Sequence, residues 1–204
     1  MQATAAMTAE TIAALFALAL ATLFTPGPNN AMLAASGANF GFARTVPHLL
    51  GVAVGFTAML LIVGLTMGEL IHRSTILREG LRWGGAILLL WIAWKIATAD
   101  GSGKGGGALR PMTFIEATAF QWINPKAWSM AVAATSQFVT ADDPAGNAMI
   151  VGAVFLALGL VSSSTWAAAG TAIARALTTP GRLRAFNITM AALIVLSTLG
   201  LLRH

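Results

Sequence analysis

Apolar residues in this chain fall into long runs separated by short polar connections, and several runs reach the roughly 20 residues that cross a bilayer as an α-helix. The first, over residues 8–25, has Thr8 placed as N-cap and Glu10 in its first turn. It ends at Thr25-Pro26-Gly27-Pro28-Asn29-Asn30, where Pro26 and Pro28 each remove a backbone donor and clash with the preceding turn, so the helix is not expected to run straight through. A half-helix over 29–38 should follow, then a connection marked by Gly37, Gly41 and Arg44. Pro47 suits the first turn of a second span, which runs to about residue 70. This span carries Gly51-x3-Gly55 and Gly64-x3-Gly68, small-residue ridges that let backbones approach closely in lipid. A basic connection with His72, Arg73, Arg78 and Arg82 leads to a third span over about 81–98. It is rich in Leu and ends in Trp91, Trp94 and Lys95, residues suited to the headgroup level.

Residues 99–111 have the composition of a flexible linker and no means of burying a face. A fourth segment over about 112–139 then contains Gln121 and a second break, Asn124-Pro125-Lys126. Asp142, Asp143 and Pro144 turn the chain into a fifth span over about 145–173, and a loop with Arg175, Pro180, Arg182 and Arg184 leads to a sixth over about 183–202. The pattern predicts an all-α membrane protein, a single transmembrane domain over 1–204 with six transmembrane helices. They form two inverted three-helix repeats, about 8–98 and 112–204, with broken helices at Pro26-Pro28 and Asn124-Pro125. An offset of 97 places Pro28 on Pro125, Pro47 on Pro144, Gly55 on Gly152 and Gly84 on Gly181. Three spans per half bring the second half in from the opposite side, with both breaks near the midplane.

Composition agrees with this pattern. Hydrophobic residues make up 57% of the chain and charged residues 9%, against roughly 25% charged in soluble domains. The net charge of +5 would point to nucleic acid in a soluble protein; here Lys and Arg sit in short connections, where they orient a membrane protein, and nucleic acid is not an expected partner. With both termini outside, the cytoplasmic side receives seven basic residues (Arg44, Lys95, Lys104, Arg110, Arg175, Arg182, Arg184) and the outer side four (Arg73, Arg78, Arg82, Arg203), which favours that orientation. The acidic loop with Asp142 and Asp143 is then external. No Lys or Arg precedes the first run, so that helix is expected to be a permanent span and not a signal peptide. The absence of cysteine excludes disulfides, thiolate metal sites and a Cys nucleophile.

The breaks are where chemistry is expected. In hydrocarbon an opened turn leaves amides and carbonyls unsatisfied at several kcal/mol each, so it persists only buried against protein or lining a polar cavity. Lys126 is the one basic side chain placed deep in a span, at a cost on the order of 2.5–3.5 kcal/mol, and should face a cavity or a partner. Following Pro125, it lies in the first turn of a new half-helix whose free amides and positive dipole end attract anions. Lys126 and that half-helix make a carboxylate seat; Asn29, Asn30 and the carbonyls freed by Pro26 and Pro28 can receive an ammonium group. A zwitterion fits the two poles, and the expected substrate-binding residues are Pro28, Asn29, Asn30, Gln121, Asn124 and Lys126. The plainer alternatives are an Asn-Pro kink satisfied by a neighbour, and a Lys126 that snorkels to the headgroups. Gln121 either lines the path or bridges two helices. Ser162, Ser163, Ser164 and Thr165 read as helix-packing glue, His48 as an interfacial residue, and Glu69, Glu79, Glu116 and Asp100 as solvated groups near span ends.

These residues also resemble a family. Phe24-Thr25-Pro26-Gly27-Pro28-Asn29-Asn30, Ala35-Ser36-Gly37, Phe40-Gly41-Phe42 and Pro47-His48-Leu49-Leu50-Gly51 look like the first half of the LysE/RhtB translocators, the amino acid exporter family. Phe120-Gln121-Trp122-Ile123-Asn124-Pro125-Lys126-Ala127-Trp128 resembles that family's second motif, especially in its cysteine/O-acetylserine exporter branch. The resemblance implies export of small amino acids or relatives such as homoserine lactone, exchanged against protons. Many relatives carry an aspartate in the second span shortly after the glycine matching Gly55, where this chain has Phe56-Thr57. Its absence counts against basic substrates, a simple Asp-based proton cycle and metal export, and favours neutral substrates.

The expected function is therefore a secondary transporter, not an enzyme, without cofactor or metal, exporting small neutral amino acids or their derivatives across the cytoplasmic membrane. Its expected partners are the amino-acid substrate, the lipid bilayer, protons as coupling ion, and a second copy of the chain in a homodimer. The alternatives are an intramembrane enzyme, for which only Ser162–Ser164 with the distant His48 offer candidates, and a non-transporting membrane scaffold.

Overall fold

The computed structural model describes residues 7–67, 75–98 and 110–202, and among these every regular element is helical. Glu69, His72, Arg73, Asp100, Lys104, Arg203, Gly68 of the second glycine ridge and linker residues 99–109 lie outside the described residues, as do the side chains of Arg78 and Arg82.

Helix α1 (Ala9–Phe24) starts where Thr8 accepts from the Thr11 amide at 3.2 Å, the cap expected from the sequence. It stops at the Pro-Gly-Pro break, and α2 (Pro28–Phe40) begins with Pro28 at its first position, where a missing N–H costs nothing. The two axes bend by 54°. A single residue, Gly41 at φ +82°, joins α2 to α3 (Phe42–Ile62), a conformation open to glycine at little cost. The expected connection is therefore shorter than predicted. Gly37 lies inside α2, Arg44 lies inside α3, and Pro47 is the sixth residue of α3 and not in its first turn. The positive-φ glycine reverses the chain in one step, so the helix restarts at once; Pro47 is early enough for its ring to crowd only the first turn.

A π-helical turn, Val63–Met67, follows α3. Helix α4 (Thr75–Ala97) starts before the expected residue 81. Helix α5 (Phe114–Phe120) opens with a capping box, Thr113 accepting from the Glu116 amide and Glu116 from the Thr113 amide. It tightens into a 3₁₀ turn, Gln121–Ile123, and breaks at Asn124 before α6 (Pro125–Phe138). Asp143 caps α7 (Pro144–Ala176), which starts on Pro144, one residue before the expected start of the span. Helix α8 spans Pro180–Leu202. The basic loop before the sixth span is correspondingly shortened: Arg175 sits in the last turn of α7, and Arg182 and Arg184 are inside α8.

Three stretches are long and apolar enough to cross a membrane, Phe42–Leu65, Pro144–Ala176 and Pro180–Gly200, and the bent α1–α2 pair qualifies as a fourth. Residues 9–97 and 114–202 have the same order of elements: a helix ending at a proline break, a helix that starts on proline, then two longer helices. The two halves interlock, α2 packing on α7, α3 on both α5 and α7, and α4 on α8.

Lipid supplies no hydrophobic drive between helices, so close backbone approach carries the packing. A methyl group at Gly37 would lie 2.1 Å from the Ala167 carbonyl oxygen, and one at Gly170 would lie 2.0 Å from that of Ala34. Helices α2 and α7 thus cross in backbone contact, reinforced by the Thr171 hydroxyl donating to the Gly37 carbonyl at 3.1 Å. The predicted Gly51–Gly55 ridge fits against α5 at Phe114 and Thr118. The surface is inverted relative to a soluble protein, with Ile115 76% exposed while Gln121 and Asn187 are fully buried.

Candidate functional site

The two breaks meet. Lys126 Nζ, in the first turn of α6, donates to the carbonyl of Thr25, just past the end of α1, at 2.9 Å. Two carbonyls at the first break gather further donors: Asn30 Nδ2 donates to Leu23 O at 2.8 Å and to Thr25 O at 2.9 Å, and the Ser162 hydroxyl donates to Leu23 O at 2.8 Å. The Thr25 hydroxyl turns back to the Ala21 carbonyl. These bonds let an opened turn persist inside an apolar bundle.

At the second break Asn124 is the N-cap of α6, its Oδ1 accepting from the Lys126 amide at 3.1 Å. The Trp128 indole donates to the Trp122 carbonyl at 2.8 Å and packs edge-on against Trp122, bracing the 3₁₀ turn against α6. The first turn of α2 differs. Gly27 occupies the cap position, and no side chain caps the helix. A methyl at Gly27 would lie 2.9 Å from Lys126 Nζ, so the lysine lies directly over the uncapped end. Positive charge from the helix end and from Lys126 converges there.

Around this point is a cavity of about 40 Å³. Asn29, Asn30, Asn124, Lys126, Ser162 and Ser163 supply its polar wall. Phe56 and Phe155, with ring centroids 5.5 Å apart, lie on its apolar side. This volume holds roughly three waters. The free space at this point is smaller than an amino acid in this conformation. Of the residues singled out by sequence, Asn29, Asn30, Asn124 and Lys126 converge on the cavity. Pro28 is buried at the start of α2 and is not in the wall, and Gln121 reaches the site only through Asn29, whose Nδ2 donates to Gln121 Oε1 at 2.9 Å. Lys126 is half-buried, with its ammonium held against the break by the Thr25 carbonyl. Ser162 serves as helix glue, as expected, but with Ser163 it also faces the cavity, a role the sequence reading did not assign.

His48 corrects another expectation. It is 2% exposed, packed where α2 and α5 cover α3, and not interfacial. It lines a second, larger cavity of about 730 Å³. Ser162 and Ser163 border the small cavity and His48 the large one, so the nucleophile and base needed for an intramembrane hydrolase are not brought together.

Apolar helices interlocked through glycine contacts, with two proline breaks meeting at a small polar cavity, are the architecture of a multi-pass membrane protein with broken helices. The profile described as LysE type translocator matches residues 20–204, and the chain belongs to the LysE-type translocator family. Cysteine/O-acetylserine efflux proteins of Salmonella choleraesuis (strain SC-B67) and Escherichia coli (strain K12) are each 33% identical to it over 191 residues, 93% of this chain and 96% of theirs. No solved structure matches the chain.

Proposed function

We propose that this protein exports small neutral amino acids or their derivatives, cysteine and O-acetylserine among them, across a bacterial-type cytoplasmic membrane. The observation that carries the reading is the Lys126–Thr25 contact at a cavity walled by Asn29, Asn30 and Asn124. A substrate carboxylate takes the place of the Thr25 carbonyl at Lys126 and meets the uncapped amides of α2. The amino group lies toward Asn30 and Ser163, and the side chain against Phe56 and Phe155. Among the described residues no carboxylate lines this cavity, which supports neutral substrates over cationic ones. Because the free volume is smaller than an amino acid, the cycle requires the breaks to separate.

Six crossings follow if α1–α2 and the α5–α6 pair are each one broken span beside α3, α4, α7 and α8. The matching element order supports two inverted three-helix repeats with both breaks near the midplane, and the distribution of Lys and Arg supports termini outside. Protons as coupling ion come with the family resemblance, and a homodimer completes the proposed assembly.

Counterflow of labelled O-acetylserine into proteoliposomes tests the reading. The wild type should accumulate label, and Lys126→Ala and Asn124→Ala should each lower the rate by about tenfold or more, the effect of losing a charge-assisted or buried hydrogen bond. Full activity in both variants would overturn the site. A wild type inert toward a whole panel of neutral amino acids would overturn transport itself.

A further inference from the structure

The two cavities are separated by one contact. Asn29 lines the small cavity, while Met32, one turn further along α2, lines the large one, as do Phe120 and Ile123 on either side of Gln121. The Asn29–Gln121 pair stands between them: Asn29 Nδ2 donates to Gln121 Oε1 at 2.9 Å, and Gln121 Nε2 is held by the Ala117 carbonyl at 2.9 Å. Gln121 is fully buried and lines neither cavity.

The large cavity is mainly apolar, with Leu88, Ile92 and Phe120 in its wall, and also carries Lys95, stacked on Trp91, the Arg110–Glu116 ion pair, and the polar residues Ser36, Asn39 and His48. Ser36 and Asn39 are already engaged, with Thr45 at 3.0 Å and Asn187 at 2.9 Å. His48 is not: both ring nitrogens are buried and neither has a hydrogen-bond partner among the described residues. Such a group is costly to leave unmatched, and a ligand that bonds it once the ring turns into the cavity recovers that cost. A neutral imidazole offers one donor and one acceptor, which suits a hydroxyl, an ester or an amino group. The volume of about 730 Å³ takes a whole small amino acid with waters, which the small cavity does not.

We propose that the large cavity is a second binding station for the transported amino acid, with His48 hydrogen-bonding the substrate and the Asn29–Gln121 pair the partition crossed between stations. This rests on the transport reading above.

The chain has no cysteine, so Ala119→Cys places a single thiol in the wall of the large cavity, at an exposed helix position that tolerates it. Saturating O-acetylserine should slow maleimide labelling of this thiol severalfold, and should still do so when Lys126→Ala has disabled the central site. Labelling of Leu196→Cys, exposed on α8 and in neither cavity wall, should be unaffected. Protection should vanish with His48→Leu, which keeps an apolar filler, and largely survive with His48→Gln, which keeps a hydrogen-bonding side chain. Counterflow by Ala119→Cys without protection overturns the second station and leaves the central site standing. Protection that persists in His48→Leu overturns the role of His48, and a wild type with no O-acetylserine counterflow removes the transport reading and this inference together.

Discussion

The ammonium of Lys126 and the carbonyl of Thr25, 101 residues apart in sequence, are joined by a 2.9 Å hydrogen bond. Neither group is comfortable alone in a bilayer: the lysine is charged, and the carbonyl has lost its helical partner at the proline break. Their union closes both breaks in one contact. It also makes the contact easy to exchange, because a substrate carboxylate is a stronger partner for Lys126 than a neutral carbonyl.

Lys126→Met should therefore separate function from stability. Methionine removes the penalty of placing a charge in the bundle, on the order of 2.5–3.5 kcal/mol at a membrane centre, and forfeits one hydrogen bond. Thermal stability in detergent should stay level or rise, while counterflow falls by about tenfold or more. A large drop in melting temperature with transport retained would mean that Lys126 is structural.

Gly27→Ala probes the same contact from the other side. The backbone there is extended, φ −174°, so alanine brings no strain. Its methyl would meet Lys126 Nζ at 2.9 Å and Cδ at 3.0 Å, atoms of a flexible side chain that can move aside. The protein should fold with near-normal stability, and substrate affinity should fall severalfold, read as a raised half-saturation in counterflow.

Gly37→Ala should do the reverse. The obstacle is the Ala167 carbonyl at 2.1 Å, backbone of α7, which moves only if the two helices part. Overpacking of this kind costs about 1–3 kcal/mol. The melting temperature should drop clearly, and Gly170→Ala, facing the Ala34 carbonyl at 2.0 Å, should drop it as well.

The Asn29–Gln121 pair is suited to a double-mutant cycle. Interhelical polar pairs in membranes average about 0.6 kcal/mol and reach about 1.7. Asn29→Ala and Gln121→Ala should each destabilise, and the double variant by less than their sum, since either truncation already breaks the 2.9 Å bond. Strict additivity in unfolding free energy would show that the two amides do not hold each other.

Both breaks were legible in the sequence because a proline's missing donor and ring clash act on the adjacent turn. The Thr8 cap and the turn at Asp142, Asp143 and Pro144 were legible for the same local reason. The one-residue joint at Gly41 was not, since glycine is compatible with many conformations and only the φ of +82° selects this one. Nor was the burial of His48, which depends on α2 and α5 closing over α3, or the facing of Ser163 into the cavity, which depends on the rotation of α7. The pairing of Asn29 with Gln121 joins residues 92 apart and has no local signature.

Phe56 should set the size limit of the central site. It is buried, lines the small cavity, and packs at 59° to Phe155 with centroids 5.5 Å apart. Replacing it by leucine removes an aromatic pair worth about 0.5–1.5 kcal/mol and leaves space on the apolar side, where the substrate side chain would lie. Counterflow of methionine or leucine relative to serine should rise severalfold, with a modest loss of stability. Leu60→Val supplies the comparison: Leu60 belongs to the same buried cluster but does not line the cavity, so its truncation should lower stability without changing the selectivity ratio. Equal selectivity in Phe56→Leu and the wild type would place the substrate side chain elsewhere.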